Sequence, residues 1–275
     1  MKRNEWVSVL SIILMMIIGC EDEPTVPKEN YTYPLSIGNR WEYHRDFTYC
    51  SYSDSTQTDT CGIISGYDTC SVIVVQETTL LDTIETIQLM EQTWEDSSIF
   101  VGLYYYEERD TGLFLIAYLN PYSSALPKSI NRSNFLNEPL IPKHLKELYY
   151  GKLTRLNKLS ENGKLYYEDP PVYSLKYPLE IGSYWTYRQE GHPWRMDRKV
   201  IQDTTITVPA GTFKCYQLRM DYMISETNVR IDDFIADEGL ILRKVYLEGE
   251  VWDEYGNLLY SKLDDEYKLM NYELR

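Results

Sequence analysis

The chain has 275 residues, with 27 Lys or Arg against 42 Asp or Glu, and its formal net charge at pH 7 is −15. A surface this acidic repels phosphate backbones, which argues against nucleic acid as a partner. The 26 tyrosines, together with many Val, Ile and Thr, favour an all-β protein.

Residues 1–19 have the features of a secretory signal peptide. Two basic residues precede an apolar run from Val7 to Ile18, which is shorter than the roughly 20 helical residues needed to cross a bilayer. The run ends in Ile-Ile-Gly-Cys, which resembles the lipobox of bacterial lipoproteins. This resemblance implies cleavage before Cys20 and lipidation of Cys20, and more than one acyl chain holds a protein stably on a membrane. The alternative is a plain signal peptide with an ordinary thiol at Cys20.

Residues 20–32 form an acidic, Pro-containing stretch without apolar periodicity. We predict an extended tether that can lift the folded part about 40 Å from the membrane. Acidic residues directly after the cysteine also resemble the export signals of surface lipoproteins in some Gram-negative groups. The expected location is the bacterial envelope, with the chain anchored in a membrane, expected to be the outer membrane, and facing the periplasm or the cell surface.

Two segments of the chain are similar, with seven of eleven positions identical: YPLSIGNRWEY at 33–43 and YPLEIGSYWTY at 177–187. In each, apolar residues alternate as on one face of a strand, and a glycine (Gly38 or Gly182) permits a sharp bend before a Trp-x-Tyr pair. This pattern indicates a corner that closes a sheet over its core. A twofold aromatic binding site is the functional alternative.

The similarity continues beyond these segments. VVQETTLLDT from Val74 matches VIQDTTITVP from Val200, and the Gly-Leu motifs at Gly112 and Gly239 match in the same order. We therefore predict two tandem, related antiparallel meander domains with curved sheets.

The predicted domain map has copy 1 at 33–120 with an insertion at 50–70, a connecting segment at 121–172, and copy 2 at 173–275. The connecting segment contains PKHLKELYYG, with Pro142 at its start and Gly following it, which predicts one short helix. An Asn-Gly pair later in the segment predicts an extra hairpin.

Short turns are predicted wherever a small set of turn residues separates two alternating runs. Pro209-Ala210-Gly211 has Pro for the first turn position and Gly for a left-handed one, and Asp-Thr-Gly and Asp-Glu-Gly occur at 110–112 and 237–239.

A Gly-x-x-Trp-x-Tyr start, VPAGTF followed by Cys215, and DEGLILRKV resemble a group of uncharacterised bacterial envelope lipoproteins. The resemblance covers most of 177–247 and implies an all-β, non-cytoplasmic domain without an established activity.

Four cysteines follow Cys20, and disulfides are permitted outside the cytoplasm. Aligning the two copies places Cys50 and Cys70 at the base of the insertion, which predicts a disulfide between them. Cys61 is then free, or paired with one of the two if the alignment is shifted. Cys215 is predicted to be a buried free thiol. No histidine has metal-ligand spacing to these cysteines, so no metal site is predicted.

The sequence gives no motif for catalysis. The three histidines are isolated, with His44 predicted to face solvent, and there is no HExxH, Gly-x-Ser-x-Gly or phosphate-binding glycine loop. The paired acids at 107–108, 232–233 and 264–266 are interpreted as solvated strand edges. We therefore predict neither an enzyme nor a cofactor.

Runs of tyrosine supply the candidate binding residues: Tyr104, Tyr106, Tyr149 and Tyr166. Exposed tyrosine beside acids suits sugar or protein recognition, although tyrosine is also an ordinary β-surface residue. The predicted function is a non-catalytic binding or scaffolding lipoprotein, with the membrane as one partner and an envelope protein or glycan as another. The alternatives are a carrier that holds a lipid or other apolar ligand on a curved sheet and a glycan-binding or glycan-active protein.

Overall fold

The computed structural model describes residues 31–53, 60–95, 98–119, 165–188, 196–224, 227–252 and 258–275. The predicted signal peptide, Cys20, most of the predicted tether, and most of the connecting segment with its predicted helix and hairpin lie outside these ranges. No helix in the described residues has the length and apolar character that crossing a bilayer requires.

The described residues form twelve strands and no helix, which confirms the all-β prediction. The strands are β1 Arg40–Tyr52, β2 Thr60–Leu80, β3 Ile84–Glu95, β4 Ser98–Arg109, β5 Gly112–Leu119, β6 Tyr166–Lys176, β7 Tyr184–Arg188, β8 Met196–Val208, β9 Gly211–Ile224, β10 Thr227–Ala236, β11 Gly239–Trp252 and β12 Leu258–Glu273.

All twelve strands belong to one antiparallel, nearly closed, barrel-like sheet in the order β6-β5-β4-β3-β2-β1-β12-β11-β10-β9-β8-β7. The prediction of two tandem domains is therefore wrong. Strands β1–β6 and β7–β12 form two six-stranded meanders, and pairing of β1 with β12 joins them side by side. The two meanders are therefore halves of one sheet.

Side chains bridge the seam between the outer strands β6 and β7. Trp185 Nε1 donates to the carbonyl of Tyr173 at 2.9 Å, and Arg188 Nη2 lies 2.9 Å from Glu168 Oε1. β6 also crosses the predicted boundary at 172, so the boundary lies inside a strand. Side-chain contacts thus close the sheet here.

The repeated segment forms the same corner twice. The Gly38 N–H donates to Val74 O, and the Gly182 N–H donates to Val200 O, both at 2.9 Å. Both glycines have positive φ, 91° and 86°, a region that glycine adopts without steric cost. The predicted corner is confirmed in both copies. The N–H of Tyr33 also donates to the hydroxyl of its equivalent, Tyr177, so the copies meet at their first residues.

The predicted turns join consecutive strands directly. Two residues connect β4 to β5, β8 to β9 and β10 to β11, at 110–111, 209–210 and 237–238. We call this end of the sheet, which also holds 31–39, 177–183 and the C terminus, the tight-turn end. The 81–83 turn between β2 and β3 lies at the tight-turn end as well, whereas β1, β3, β5, β7, β9 and β11 each finish at the opposite end.

One core cluster fills the inside of the sheet and contains buried residues from all twelve strands. On β1 the inward positions alternate from Trp41 and Tyr43 to Tyr49, as the period of a strand requires. Aromatic residues 31 and 33 add to the core at the tight-turn end. Burial on this scale is the main favourable term for the fold.

Candidate functional site

The unexpected feature of the interior is charge. Arg45, Arg198 and Arg243 lie on inward positions of β1, β8 and β11, and each is at most 2% exposed. A buried charge is tolerated only when it is paired and hydrogen-bonded. Each of these guanidinium groups meets a buried carboxylate.

The first cluster joins β1, β2 and β12 around Arg45. Its Nε and Nη2 donate to Oδ1 and Oδ2 of Asp265, both at 2.8 Å, and its Nη1 donates to Asp68 Oδ2 at 3.1 Å. The paired donors on Asp265 are the two-point geometry that makes Arg–carboxylate contacts strong. This cluster ties the two halves of the sheet together, since Asp265 belongs to copy 2 and the other two residues to copy 1.

The second cluster lies around Asp233 of β10. Arg243 donates to it twice, from Nε at 2.6 Å and Nη2 at 2.8 Å. Arg198 donates to the same carboxylate and also to the carbonyl of Ser174 at 2.7 Å. One carboxylate therefore holds two guanidinium groups, and Arg198 extends the network to β6 across the seam.

Tyr267 of β12 lies between the clusters, because it pairs with Arg45 on one side and Arg243 on the other. The Arg45 guanidinium carbon is 5.3 Å from the Tyr267 ring centroid, a cation–π distance. The two clusters therefore form one belt of charge across the middle of the interior.

The two carboxylates of the belt titrate differently. Burial pushes the pKa of Asp233 upward, but Arg243 and Arg198 outweigh it, so the pKa lies below its ordinary value. Burial raises the pKa of Asp68, and Arg45 offsets only part of the rise. In the second cluster the arginines thus more than offset the burial of the Asp233 carboxylate, whereas burial still destabilises the ionised form of Asp68.

The geometry of this belt suits structure better than catalysis. Asp265 and Asp233 each accept two or more guanidinium hydrogen bonds, and the groups are buried from solvent. Within the part of the chain that the structure describes, no group of His, Cys, Asp or Glu could hold a metal ion. Such networks fix the registration of strands, and removing one partner leaves an uncompensated charge.

The predicted disulfide between Cys50 and Cys70 is contradicted, because neither cysteine is part of a disulfide in the structure. Cys50 lies opposite Ile63, whereas Cys70 lies opposite Tyr43, seven positions from Cys50 along β1. At about 3.3 Å per residue the two cysteines are about 23 Å apart, far beyond disulfide reach. The insertion at 50–70 was expected to bring them together, but much of it lengthens the two paired strands.

The thiols of Cys70 and Cys215 are buried. Cys215 is free and buried, as predicted, and burial raises the pKa of its thiol to about 12. The Cys70 thiol donates to Glu91 Oε1 at 3.1 Å inside the sheet. The side chain of Cys61 lies outside what the structure describes.

The candidate ligand-facing tyrosines belong to the core. Tyr104 and Tyr106 are wholly buried and Tyr166 is nearly so, with its ring 5.7 Å from that of Tyr118. They point inward, so they cannot present rings to a glycan on the outer surface. Tyr149 lies outside the described residues.

Two further interpretations can be tested. His44 is half-buried, with Nε2 3.1 Å from Asp46 Oδ1 and its ring stacked on Tyr67. His144 and His192 lie outside the described residues.

The view that paired acids are solvated edges is wrong for Asp233 and Asp265, because both sit in phase with buried neighbours. The sequence could have indicated this, because each of these aspartates falls on the same alternate positions of its strand as the buried apolar residues.

No family profile matches the chain, and no curated protein matches it at a significant level. Among solved structures it resembles a candidate exported protein with a YmcC-like fold from Bacteroides fragilis, at 9% identity and a TM-score of 0.29, over 89% of this chain and 99% of that one. It also resembles mutant forms of the Rh. blastica porin, at 9% and 8% identity and a TM-score of 0.26, over 84% of this chain and 99% of theirs. These scores are too low to carry an argument about fold or function.

Proposed function

We propose that this protein is a membrane-anchored lipoprotein of the bacterial envelope that binds or scaffolds a partner and performs no catalysis. The observation that carries the proposal is where the N-terminal segment joins the fold. Tyr31, the first described residue, is buried at the tight-turn end, with its ring 6.0 Å from that of Tyr177. Ten residues separate it from Cys20, so the anchor lies within about 36 Å of this end.

This arrangement supports different roles for the two ends of the sheet, with anchoring at one end and partner binding at the other. The tight-turn end is compact and next to the anchor. β1, β3, β5, β7, β9 and β11 finish at the opposite end and there pass into strand connections, and connecting segments commonly carry the binding residues of scaffold proteins. The proposal therefore assigns partner binding to the end away from the anchor.

The packed interior gives the carrier alternative no support. A lipid carrier needs a deep apolar cavity, whereas the inward side chains here form one continuous core crossed by a belt of charges. The glycan alternative loses three of its four candidate residues, since Tyr104, Tyr106 and Tyr166 are buried. We therefore favour binding or scaffolding from an anchored position.

Anchoring is tested by metabolic labelling with an alkyne palmitate analogue, followed by membrane fractionation. We expect the wild-type chain to carry the label and to sediment with membranes, and Cys20→Ala to lose both properties. Cys215→Ala is the matched control, because it removes a buried thiol and leaves position 20 intact. Labelling that persists in Cys20→Ala would refute lipidation at this residue.

A further inference from the structure

The outer surface of the sheet is divided by charge. In the stretches 67–75 of β2, 90–94 of β3 and 99–105 of β4, the charged residues are Asp68 and Glu91, and both point inward. The outward positions carry apolar, aromatic or uncharged polar side chains. In a chain of net charge −15, these stretches of three adjacent strands thus present an uncharged outer face.

The strands that continue the sheet beyond β2 are different. On β11, β12 and β1 the outward side chains are interleaved charges: Lys244 and Lys268 contact Glu266 at 2.9 and 2.6 Å, and Lys268 also reaches Asp46. This is the surface expected of a soluble β-protein. An uncharged outer face of this kind is typical of a surface that contacts a partner or a membrane.

Large apolar side chains protrude from the uncharged face. Ile99 is 60% exposed and lies directly opposite Trp94, which is itself exposed, and Val101 is the next outward residue on the same strand. Tyr67 lies two residues before Thr69, the β2 partner of Trp94, and is 76% exposed. We call Tyr67, Trp94, Ile99 and Val101 the apolar patch.

We propose that the apolar patch is a docking surface for a lipid bilayer, on which the sheet lies sideways. The proposal rests on the proposed membrane anchoring, because the tether keeps the sheet within about 36 Å of the bilayer. Trp and Tyr rings suit the interface between headgroups and acyl chains, and aliphatic side chains between them enter the apolar boundary.

Charge selects the bilayer as the occupant of this patch. Acidic surfaces are repelled by anionic headgroups and lose hydration near any membrane, so the charged outer face of β11, β12 and β1 is unsuited to contact. The uncharged stretches, which meet a charge at Asp46 beside Tyr67, carry little of either cost. It follows that docking should favour zwitterionic lipid and weaken as anionic lipid is added.

The test separates docking from anchoring by using a chain that cannot be acylated. The mature chain from residue 20, carrying Cys20→Ser, is mixed with phosphatidylcholine–phosphatidylethanolamine vesicles and sedimented. We expect it to bind these vesicles, and Ile99→Ser to lower the partition coefficient about fivefold through lost apolar burial. Ile181→Ser is the matched control, since Ile181 is 59% exposed at the tight-turn end, and it should bind as the parent does.

Several outcomes would overturn the proposal. These are failure of the parent chain to bind vesicles, equal losses for both variants, or unchanged binding of Ile99→Ser. A parent that sediments as a dimer, and Ile99→Ser as a monomer, would assign the patch to a second copy. A large fall in the unfolding free energy of Ile99→Ser would assign it to a contact within the chain. Lipidation at Cys20 would stand in each case.

Discussion

The two halves of the sheet share a backbone corner and differ in what surrounds it. At the first corner a methyl group added to Gly38 would lie 2.9 Å from the Arg275 side chain, whereas at the second nothing lies within 4 Å of such a group on Gly182. Asn39 also accepts a hydrogen bond from the N–H of Arg275 at 2.7 Å. The corner therefore depends on its own backbone hydrogen bonds, since these are the same in both halves although the side chains around the two glycines differ.

The halves also differ in how they compensate buried charge. In the second half Asp233 is shared by two arginines, and its pKa is lowered. In the first half Asp68 has one contact with Arg45, whose stronger pair is with Asp265, and the pKa of Asp68 is raised. Burial alone thus does not tell whether a carboxylate stabilises the fold; the number and geometry of its donors decide.

The largest expected effect comes from removing the better-compensated acid. Asp233→Ala leaves the guanidinium groups of Arg198 and Arg243 buried without their carboxylate, and should lower the unfolding free energy by about 3–5 kcal/mol. Urea unfolding followed by tyrosine and tryptophan fluorescence measures this. Asp264→Ala, at an exposed position on β12, should change it by less than about 0.5 kcal/mol. Similar losses in both variants would contradict the inward assignment.

A smaller effect compares equivalent glycines of the two halves. A methyl group at Gly112 would lie 2.0 Å from the carbonyl oxygen of Leu175, whereas at Gly239 it would meet the Trp41 side chain at 3.1 Å. Both glycines have positive φ, 150° and 106°. Gly112→Ala should cost about 3 kcal/mol, because backbone must move, and Gly239→Ala about 1–2 kcal/mol. Thermal unfolding of both variants gives the order, and a larger loss at Gly239 would contradict the close approach of β5 to β6.

The smallest effect is a difference in pH dependence. Because the pKa of Asp68 is raised in the folded state, its contribution is full below the unfolded pKa of about 3.9 and is lost as the pH rises through the folded value. The wild type should therefore lose stability relative to Asp68→Asn as the pH rises from 4 toward neutrality. We expect Asp68→Asn to be within about 1 kcal/mol of wild type at pH 7.

Asp233→Asn is the control for this measurement, with the opposite sign. The stability that Asp233 contributes is present above an unfolded pKa of about 3.9 and is lost as the pH falls through its lower folded value. Urea unfolding of both variants and of the wild type across pH 3–7.5 gives the two slopes. Parallel slopes would show that Arg45 compensates Asp68 as fully as the two arginines compensate Asp233.

Local features of the fold could be predicted from residues a few positions apart. The corner at Gly38, the turn at Pro209-Ala210 and the inward phase of Trp41 and Tyr43 depend on short-range chemistry, and all are found. The candidate site was not predictable in the same way. Cys50 and Cys70 seemed to flank a loop, but the β1–β2 register separates them, and a register depends on pairing along the whole strand.

The sequence by itself determined strand alternation, turn positions and the twofold repetition, because each is set by neighbours along the chain. It also supplied the signal-like N terminus on which the proposed anchoring depends. Only the tertiary structure decided that the copies share one sheet, since the pairing of β1 with β12 joins residues more than 200 positions apart. The same long-range pairing brought Asp265 to Arg45, and so turned acids that resembled a solvated edge into the centre of the core.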